Sequence, residues 1–128
     1  MAGYVGNIEE LTVTNEYFRQ VLFTAPHSQL VVMCLQPLED IGMETHPNVD
    51  QFFRVEEGEG KVVLNGEETL FKSGDAIVVP AGTEHNVINT SAENKLKLYT
   101  IYSPANHKDG IIHKTKAEAM ADETDIVA

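Results

Sequence analysis

A chain of 128 residues with 42% hydrophobic residues is long enough to bury one core and too apolar to be disordered, so one domain is expected. Its formal net charge of -11 repels phosphate backbones and anionic lipids, which argues against nucleic acid or a membrane as a partner. The single cysteine, Cys34, excludes an internal disulfide, and the N-terminal stretch lacks the pattern of a signal peptide, so we expect a cytoplasmic protein.

Short runs of β-forming residues recur along the chain and are separated by Gly and Pro turn signals. Asn65 and Gly66 stand between two apolar runs and predict a hairpin with a type I′ turn. Many short strands in one small domain indicate a barrel or a sandwich. The predicted strand regions are 16–24, 29–37, 49–58, 60–71 with its central turn, 75–82, 85–89 and 95–104.

The C-terminal region, 114–128, differs in composition from the predicted strands. Residues 115–123 are rich in helix formers, and Thr115 followed by Glu118 fits a capping box. This pattern predicts a short helix and then a frayed tail. The helix has few apolar residues, so we expect it on the surface or across the mouth of a barrel.

Side chains with metal-binding atoms occur in two separate stretches. Glu44 and His46 point to the same side of an extended chain, because alternate residues of a strand share a face. Gln51 shares its face with Phe53, and His85 opens a later strand. If these segments are neighbours, one carboxylate, one amide and two imidazoles can converge.

The stretch 74–89 resembles the second conserved motif of the cupins, G-x5-P-x-G-x2-H-x3-N, at every defined position. The matching residues are Gly74, Pro80, Gly82, His85 and Asn89. The pattern is a strand, a turn and a second strand that begins at the histidine.

The stretch 42–58 resembles the first cupin motif, G-x5-HxH-x3-4-E-x6-G, less completely. Glu44 replaces the first histidine, His46 matches the second, and Gln51 replaces the glutamate, while Gly58 matches the closing glycine. Leu38 stands where the leading glycine is usual. The replacements at two ligand positions keep atoms that can bind a metal.

The resemblance implies an all-β fold, a cupin jelly-roll barrel that spans 1–128 as a single domain and carries a short C-terminal helix. It also implies one divalent metal ion in the mouth of the barrel, held by Glu44, His46, Gln51 and His85. Nitrogen and oxygen donors without a thiolate suit Zn, Mn, Fe, Ni or Co.

Further residues are candidates for the pocket. Phe53 and Val87 would supply apolar walls, and Tyr102 would either donate a hydrogen bond there or serve in core packing. His107 and His113 follow the last predicted strand. Two interpretations of them stay open: they cover the mouth and act as acid or base, or they are surface histidines.

Three functions fit these features. The ligand types are similar to those of the zinc-dependent phosphomannose isomerases, which favours an isomerase acting on a sugar phosphate, a small-molecule substrate. The sequence has only two arginines, and Arg54 is predicted to face outward, so a phosphate clamp is not apparent. The alternatives are an Fe(II)- or Ni-dependent dioxygenase and a non-catalytic binding barrel. The family resemblance also implies a homodimer, with 16–24 as a plausible edge strand.

Overall fold

A computed structural model describes residues 2–125 of the protein, which form nine strands and two short helices within that range. The N-terminal part contains helix α1 (Ile8–Thr14) and strands β1 (Arg19–Thr24) and β2 (Gln29–Leu35). The central strands are β3 (Asp50–Glu57), β4 (Glu59–Leu64), β5 (Glu67–Lys72) and β6 (Ala76–Val79). The C-terminal part contains β7 (His85–Asn89), β8 (Leu96–Ser103), β9 (Ile112–His113) and helix α2 (Lys116–Ala121).

The strands form two antiparallel sheets that enclose one core. The larger sheet has the order β6-β3-β8-β2-β1-β9, and the smaller has the order β5-β4-β7. Residues of the segment 40–44 extend the smaller sheet, because Asp40 and Glu44 form bridges to Ile88 and His85 of β7. Apolar side chains of both sheets meet in one buried cluster, so the all-β jelly-roll prediction is confirmed.

The predicted alternation of inward and outward side chains holds along β3 and β8. Gln51, Phe53 and Val55 are buried in β3, whereas the residues between them are partly exposed. Thr100 and Tyr102 are buried on the same inner face of β8. This parity directs the Gln51 side chain into the barrel.

Two turns depend on backbone conformations that most residues resist. Asn65 and Gly66 have φ angles of 48° and 83° between β4 and β5, which confirms the predicted two-residue hairpin. Leu38 has a φ angle of 63°. It adopts the left-handed conformation, which glycine tolerates best, at the position where the cupin motif has glycine.

The N-terminal region contains a helix that the sequence patterns did not predict. Asn7 caps α1 by accepting a hydrogen bond from the backbone of Glu10 at 3.0 Å. The segment after the helix covers Lys97, which is 5% exposed and whose ammonium donates to the carbonyl of Asn15. Lys97 does face away from the barrel interior, but it is not at the solvent surface.

Strand β1 is not an edge strand of this chain, so that part of the prediction is wrong. It pairs with β2 on one side and with β9 on the other. The strand β9 has only two residues, and the backbone of Val21 adds a hydrogen bond to Ile111 at 2.9 Å. The outer strands of the larger sheet are β6 and β9, and β5 is an outer strand of the smaller.

The C-terminal helix is present, and Thr115 is its N-cap residue, accepting from the backbone of Glu118 at 3.2 Å. The expected frayed tail is wrong at Asp125, which is 3% exposed. The remainder of that tail, 126–128, lies outside the described residues. Neither helix within 2–125 has the length and apolar character needed to cross a membrane.

Candidate metal centre

The backbone of the chain joins the two motif regions directly. Glu44 and His85 exchange two hydrogen bonds, Glu44 N to His85 O and His85 N to Glu44 O, each at 2.9 Å. The backbone of Gly82 also donates to the carbonyl of His46 at 2.8 Å. These contacts place the side chains of both motifs at one end of the barrel.

Three side chains with metal-binding atoms meet there. One ligand atom each from Glu44, His46 and His85 lies within 4.8 Å of the other two. Nε2 of His46 is 3.0 Å from Oε2 of Glu44, and the centroids of the two imidazole rings are 5.3 Å apart. The cluster is compatible with a metal site.

The hydrogen bonds of His85 determine which of its nitrogens faces this cluster. Nδ1 lies 2.9 Å from the carbonyl oxygen of Thr83. A carbonyl oxygen only accepts, so Nδ1 carries the proton and the neutral ring keeps its lone pair on Nε2. This backbone contact is the kind that orients metal-binding histidines.

Gln51 completes the group from the opposite sheet. Its side-chain nitrogen donates to Oγ1 of Thr100 at 3.0 Å, which turns Oε1 toward His85 at 3.2 Å from Nε2. Two acceptor atoms therefore face each other in a buried position, an arrangement that a cation between them would satisfy. The donor set of one carboxylate, one amide oxygen and two imidazoles fits a divalent ion of the Mn-to-Zn series.

The charge of Glu44 supports the same interpretation. Burial would raise the pKa of its carboxyl group, but the hydrogen bond with His46 and the electrostatic influence of His46, Arg19 and His85 outweigh it, so the pKa is lowered. Glu44 is therefore an ionised carboxylate at neutral pH. An anion fixed beside two imidazoles attracts a cation.

A cavity of about 300 Å³ opens beside the cluster. It offers space for a small molecule next to the carboxylate and one imidazole. The residues that line it are Glu44, Thr45, His46, Pro47, Asn48, Val49 and Asn106. Asn106 follows β8 and was not singled out from the sequence, since its place at the mouth depends on the path of the connection to β9.

Phe53, Val87 and Tyr102 lie in the buried interior and are not among the residues that line this cavity. Phe53 and Val87 belong to the apolar core. The ring of Tyr102 lies edge-on to His46, with centroids 6.0 Å apart, so it supports that imidazole from within. Burial raises the pKa of Tyr102 far above its usual value, and the phenol is neutral. Their direct contact with substrate stays a prediction.

His107 and His113 are buried, so the interpretation of them as surface histidines is wrong. Nδ1 of His107 lies 2.6 Å from Oδ2 of Asp125, and its Nε2 lies 3.1 Å from the hydroxyl of Tyr102. His113 pairs with Asp122 at 3.0 Å. Both imidazoles join the region after β8 to the C-terminal segment.

The same elements define the family of the chain. The model of the cupin domain (Cupin_2) matches residues 31–102. The chain is 50% identical over 127 residues to the uncharacterized protein YrkC of Bacillus subtilis (strain 168), covering 94% of this chain and 67% of that protein.

Two further relatives agree. The uncharacterized protein L612 of Acanthamoeba polyphaga mimivirus is 49% identical over 113 residues, covering 85% of this chain and 70% of that protein. The crystal structure of BH2720 from Bacillus halodurans is 46% identical and superimposes with a TM-score of 0.91, covering 93% of this chain and 94% of that one. The chain belongs to the cupin family.

Proposed function

We propose that this cupin is a divalent-metal-dependent enzyme that acts on a small oxygenated molecule. The observation that carries the proposal is the convergence of Glu44, His46 and His85, whose ligand atoms lie within 4.8 Å of one another beside a cavity. Two imidazoles, one carboxylate and a weaker amide ligand from Gln51 leave coordination positions for a substrate. The ion is Zn, Mn, Fe, Ni or Co.

The side chains around the cavity determine what it can accept. Bound at these residues, the divalent ion would supply positive charge that polarises a carbonyl or hydroxyl oxygen of the substrate. Glu44 is an ionised acceptor at the mouth, and Asn106 offers an amide from the cavity wall. A volume of about 300 Å³ is at the small end for ligand pockets, which favours a molecule the size of a monosaccharide.

Isomerisation of a sugar is the reaction that we place first, because one Gln, one Glu and two His are the ligand types of the zinc-dependent phosphomannose isomerases. Such a reaction moves a proton between neighbouring carbons. A site that binds the phosphate group of a sugar phosphate has less support. Arg19 is buried beside Asp125, and Arg54 pairs with Glu56 at 3.4 Å on the outer side of β3. A sugar without phosphate, or one whose phosphate stays in solvent, suits this cavity better.

A dioxygenase is the second candidate. Glu44, His46 and His85 provide the two-histidine, one-carboxylate set of non-haem iron oxygenases. Phe53 and Val87 belong to the apolar core of the same barrel. This reaction would require Fe(II) or Ni together with dioxygen as co-substrate.

The experiment that tests the proposal begins with the metal content of the purified protein by plasma mass spectrometry. Wild type is compared with His85→Ala and with His27→Ala, a control in which an exposed histidine is removed. We expect close to one metal ion per chain in wild type and in His27→Ala, and loss of the ion in His85→Ala. The metal-loaded protein is then incubated in D2O with aldoses and their phosphates, and deuterium at the carbon next to the carbonyl is followed by NMR.

The outcomes separate the three functions. Zinc or manganese with deuterium incorporation supports the isomerase. Iron or nickel with substrate-dependent oxygen uptake, measured by an oxygen electrode, supports the dioxygenase. A protein that neither contains nor takes up a divalent ion would overturn both enzyme assignments and leave a barrel that binds small molecules without metal.

A further inference from the structure

The tip of the hairpin between β4 and β5 contacts the turn that precedes His85. The backbone nitrogen of Asn65 donates to the carbonyl oxygen of Glu84 at 2.8 Å, and the side-chain Oδ1 of Asn65 accepts from the nitrogen of Glu84 at 3.0 Å. In the register of β4 and β7, Leu64 is opposite His85, so Asn65 and Glu84 are the next pair along. The amide oxygen of Asn65 therefore takes the place of the backbone carbonyl that a regular antiparallel pair would use.

The hydrogen bond to Oδ1 holds one particular peptide group. The nitrogen of Glu84 and the carbonyl of Thr83 belong to the same planar, trans peptide unit, whose N–H and C=O point in opposite directions. Asn65 holds the N–H side, and on the other side the oxygen of Thr83 lies 2.9 Å from Nδ1 of His85. One rigid group thus connects the Asn65 side chain to the imidazole of a candidate metal ligand. Donation by its N–H also makes its oxygen a stronger acceptor, because hydrogen bonds in series polarise one another.

Two carbonyl oxygens compete for the single ring proton of neutral His85. The oxygen of Thr83 is 2.9 Å from Nδ1, and Oε1 of Gln51 is 3.2 Å from Nε2. A proton on Nδ1 leaves the lone pair of Nε2 directed at the candidate metal centre, whereas a proton on Nε2 would block coordination by that atom. The tautomer that prevails therefore depends on how firmly the carbonyl of Thr83 is held in place.

We infer that Asn65 is a positioning residue of the metal centre, which acts through the peptide group before Glu84 to hold the proton of His85 on Nδ1 and to leave Nε2 free for the ion. The inference rests on the metal site of the proposed function. The φ angle of Asn65 is 48°, as the type I′ turn requires, so the turn alone explains a residue that tolerates the left-handed region. The turn does not explain the side-chain hydrogen bond to Glu84, since glycine adopts the same backbone conformation without it.

The test separates these two roles by substitution. Asn65→Gly keeps a residue suited to the turn and removes the acceptor Oδ1, whereas Asn65→Asp keeps an acceptor at the same position. Asn94→Gly makes the same chemical change at an exposed bend between β7 and β8 and serves as the control. Urea unfolding and circular dichroism establish that each variant is folded before it is compared.

The first readout is the tautomer of His85 in the metal-free protein, observed by nitrogen NMR of the imidazole at about pH 8.5, where an imidazole is neutral. The signals are assigned by their absence from His85→Ala. Wild type, Asn65→Asp and Asn94→Gly should carry the proton on Nδ1. Asn65→Gly should show a measurable population with the proton on Nε2, because Gln51 then competes better for it. A loss of turn stability alone would not move the proton between the two nitrogens.

The second readout is the affinity for Co²⁺, measured by titration calorimetry. Asn65→Gly should weaken binding by about three- to tenfold. This effect is smaller than the roughly 10- to 100-fold loss typical for the direct partner of a metal-binding histidine, since Asn65 acts through an intervening peptide group. Asn65→Asp and Asn94→Gly should bind Co²⁺ within about twofold of wild type.

Three results would overturn the inference. One is a wild-type His85 that carries its proton on Nε2. Another is Asn65→Gly with an unchanged tautomer, or with an unchanged affinity when wild type binds Co²⁺. The third is an equal effect of Asn65→Gly and Asn65→Asp, which would mean that the acceptor is not what holds the proton. If wild type binds neither Co²⁺ nor Zn²⁺, the proposed metal site fails, whereas the tautomer in metal-free Asn65→Gly still decides whether Asn65 positions His85.

Discussion

Glu44 and His85 are joined by two reciprocal backbone hydrogen bonds of 2.9 Å, although 40 residues separate them along the chain. The bridge fixes the spacing of their Cα atoms before any ion is bound. Their side chains leave the backbone on the same end of the barrel and meet that of His46. The candidate metal centre is therefore a product of strand pairing, and a metal would find its ligands already assembled.

A preassembled site predicts that metal stabilises the folded chain by mass action. At a free Zn²⁺ concentration of about 100 times the Kd, the free energy of unfolding should rise by about 2.7 kcal/mol. Urea unfolding with and without the ion measures this difference. His27→Ala should show the same gain, and His85→Ala should show none. An equal gain in His85→Ala would mean that the ion binds elsewhere.

Gln51→Glu should destabilise the protein without metal and strengthen metal binding when the ion is present. The new carboxylate would be buried on the inner face of β3, near Glu44 and His85, so without metal the free energy of unfolding should fall by about 1–3 kcal/mol. With metal, the added charge should tighten binding about tenfold or more, which is 1.4 kcal/mol or more. Urea unfolding and calorimetric titration test the two signs. A variant that is destabilised in both conditions would contradict Gln51 as a ligand.

Much of the site could be predicted from local sequence. The second motif supplies His85 at the start of a strand, and the alternation of β3 directs Gln51 inward, as the structure confirms for the burial of both side chains. Strand parity is a local property, so a single stretch is sufficient to assign it. The hairpin at Asn65 and Gly66 is local in the same way.

The missed features depend on contacts between distant parts of the chain. The burial of His107 requires Asp125 and Tyr102, which approach it only after β8 and the C-terminal segment are in place. The interior position of strand β1 depends on its pairing with β9, which has two residues, too few to leave a periodic pattern in the sequence. Helix α1 has seven residues and depends on its Asn7 cap and on packing, which a short apolar pattern does not reveal.

Leu38→Gly should stabilise the protein. Leu38 has a φ angle of 63° and is exposed, so its side chain gains little from packing while its backbone is in the left-handed region. Removal of the strained left-handed leucine should raise the free energy of unfolding by about 1 kcal/mol. This figure already includes the greater backbone entropy that glycine loses on folding. The measurement is the midpoint of urea unfolding. Leu70→Gly, at an exposed leucine within β5, should instead lower stability. Loss of stability in Leu38→Gly would show that the Leu38 side chain makes a stabilising contact.

His107 should make the fold sensitive to mild acid. Its pKa is lowered to about 4 in the folded chain, mainly by burial, against 6.5 for the free group. Between these values the unfolded chain binds more protons, so stability is full above about pH 6.5 and decreases as the pH falls toward 4. The loss attributable to this residue is on the order of 3 kcal/mol at pH 4.

The comparison of wild type with His107→Gln isolates this effect from the other histidines. Both are unfolded in urea at several pH values in the presence of chelator. The variant should be less stable at neutral pH, because Asp125 loses its partner, and the difference should narrow as the pH falls. Parallel curves for the two proteins would mean that His107 titrates normally in the folded state.

We expect a homodimer in solution, with a mass by light scattering of twice the 14.1 kDa of one chain. Within the described residues the outer strands β5 and β6 are the candidate contact, since Leu70 and Val78 are 79% and 63% exposed there. An outer strand with apolar side chains and free backbone groups favours pairing with a second copy.

Leu70→Glu and Val78→Glu should produce monomers. Val5→Glu, at a more exposed position near the N-terminus, should leave the dimer intact. A monomeric mass for wild type at micromolar concentration would contradict the expectation, and a dimer that resists both charged variants would place its interface on another face of the barrel.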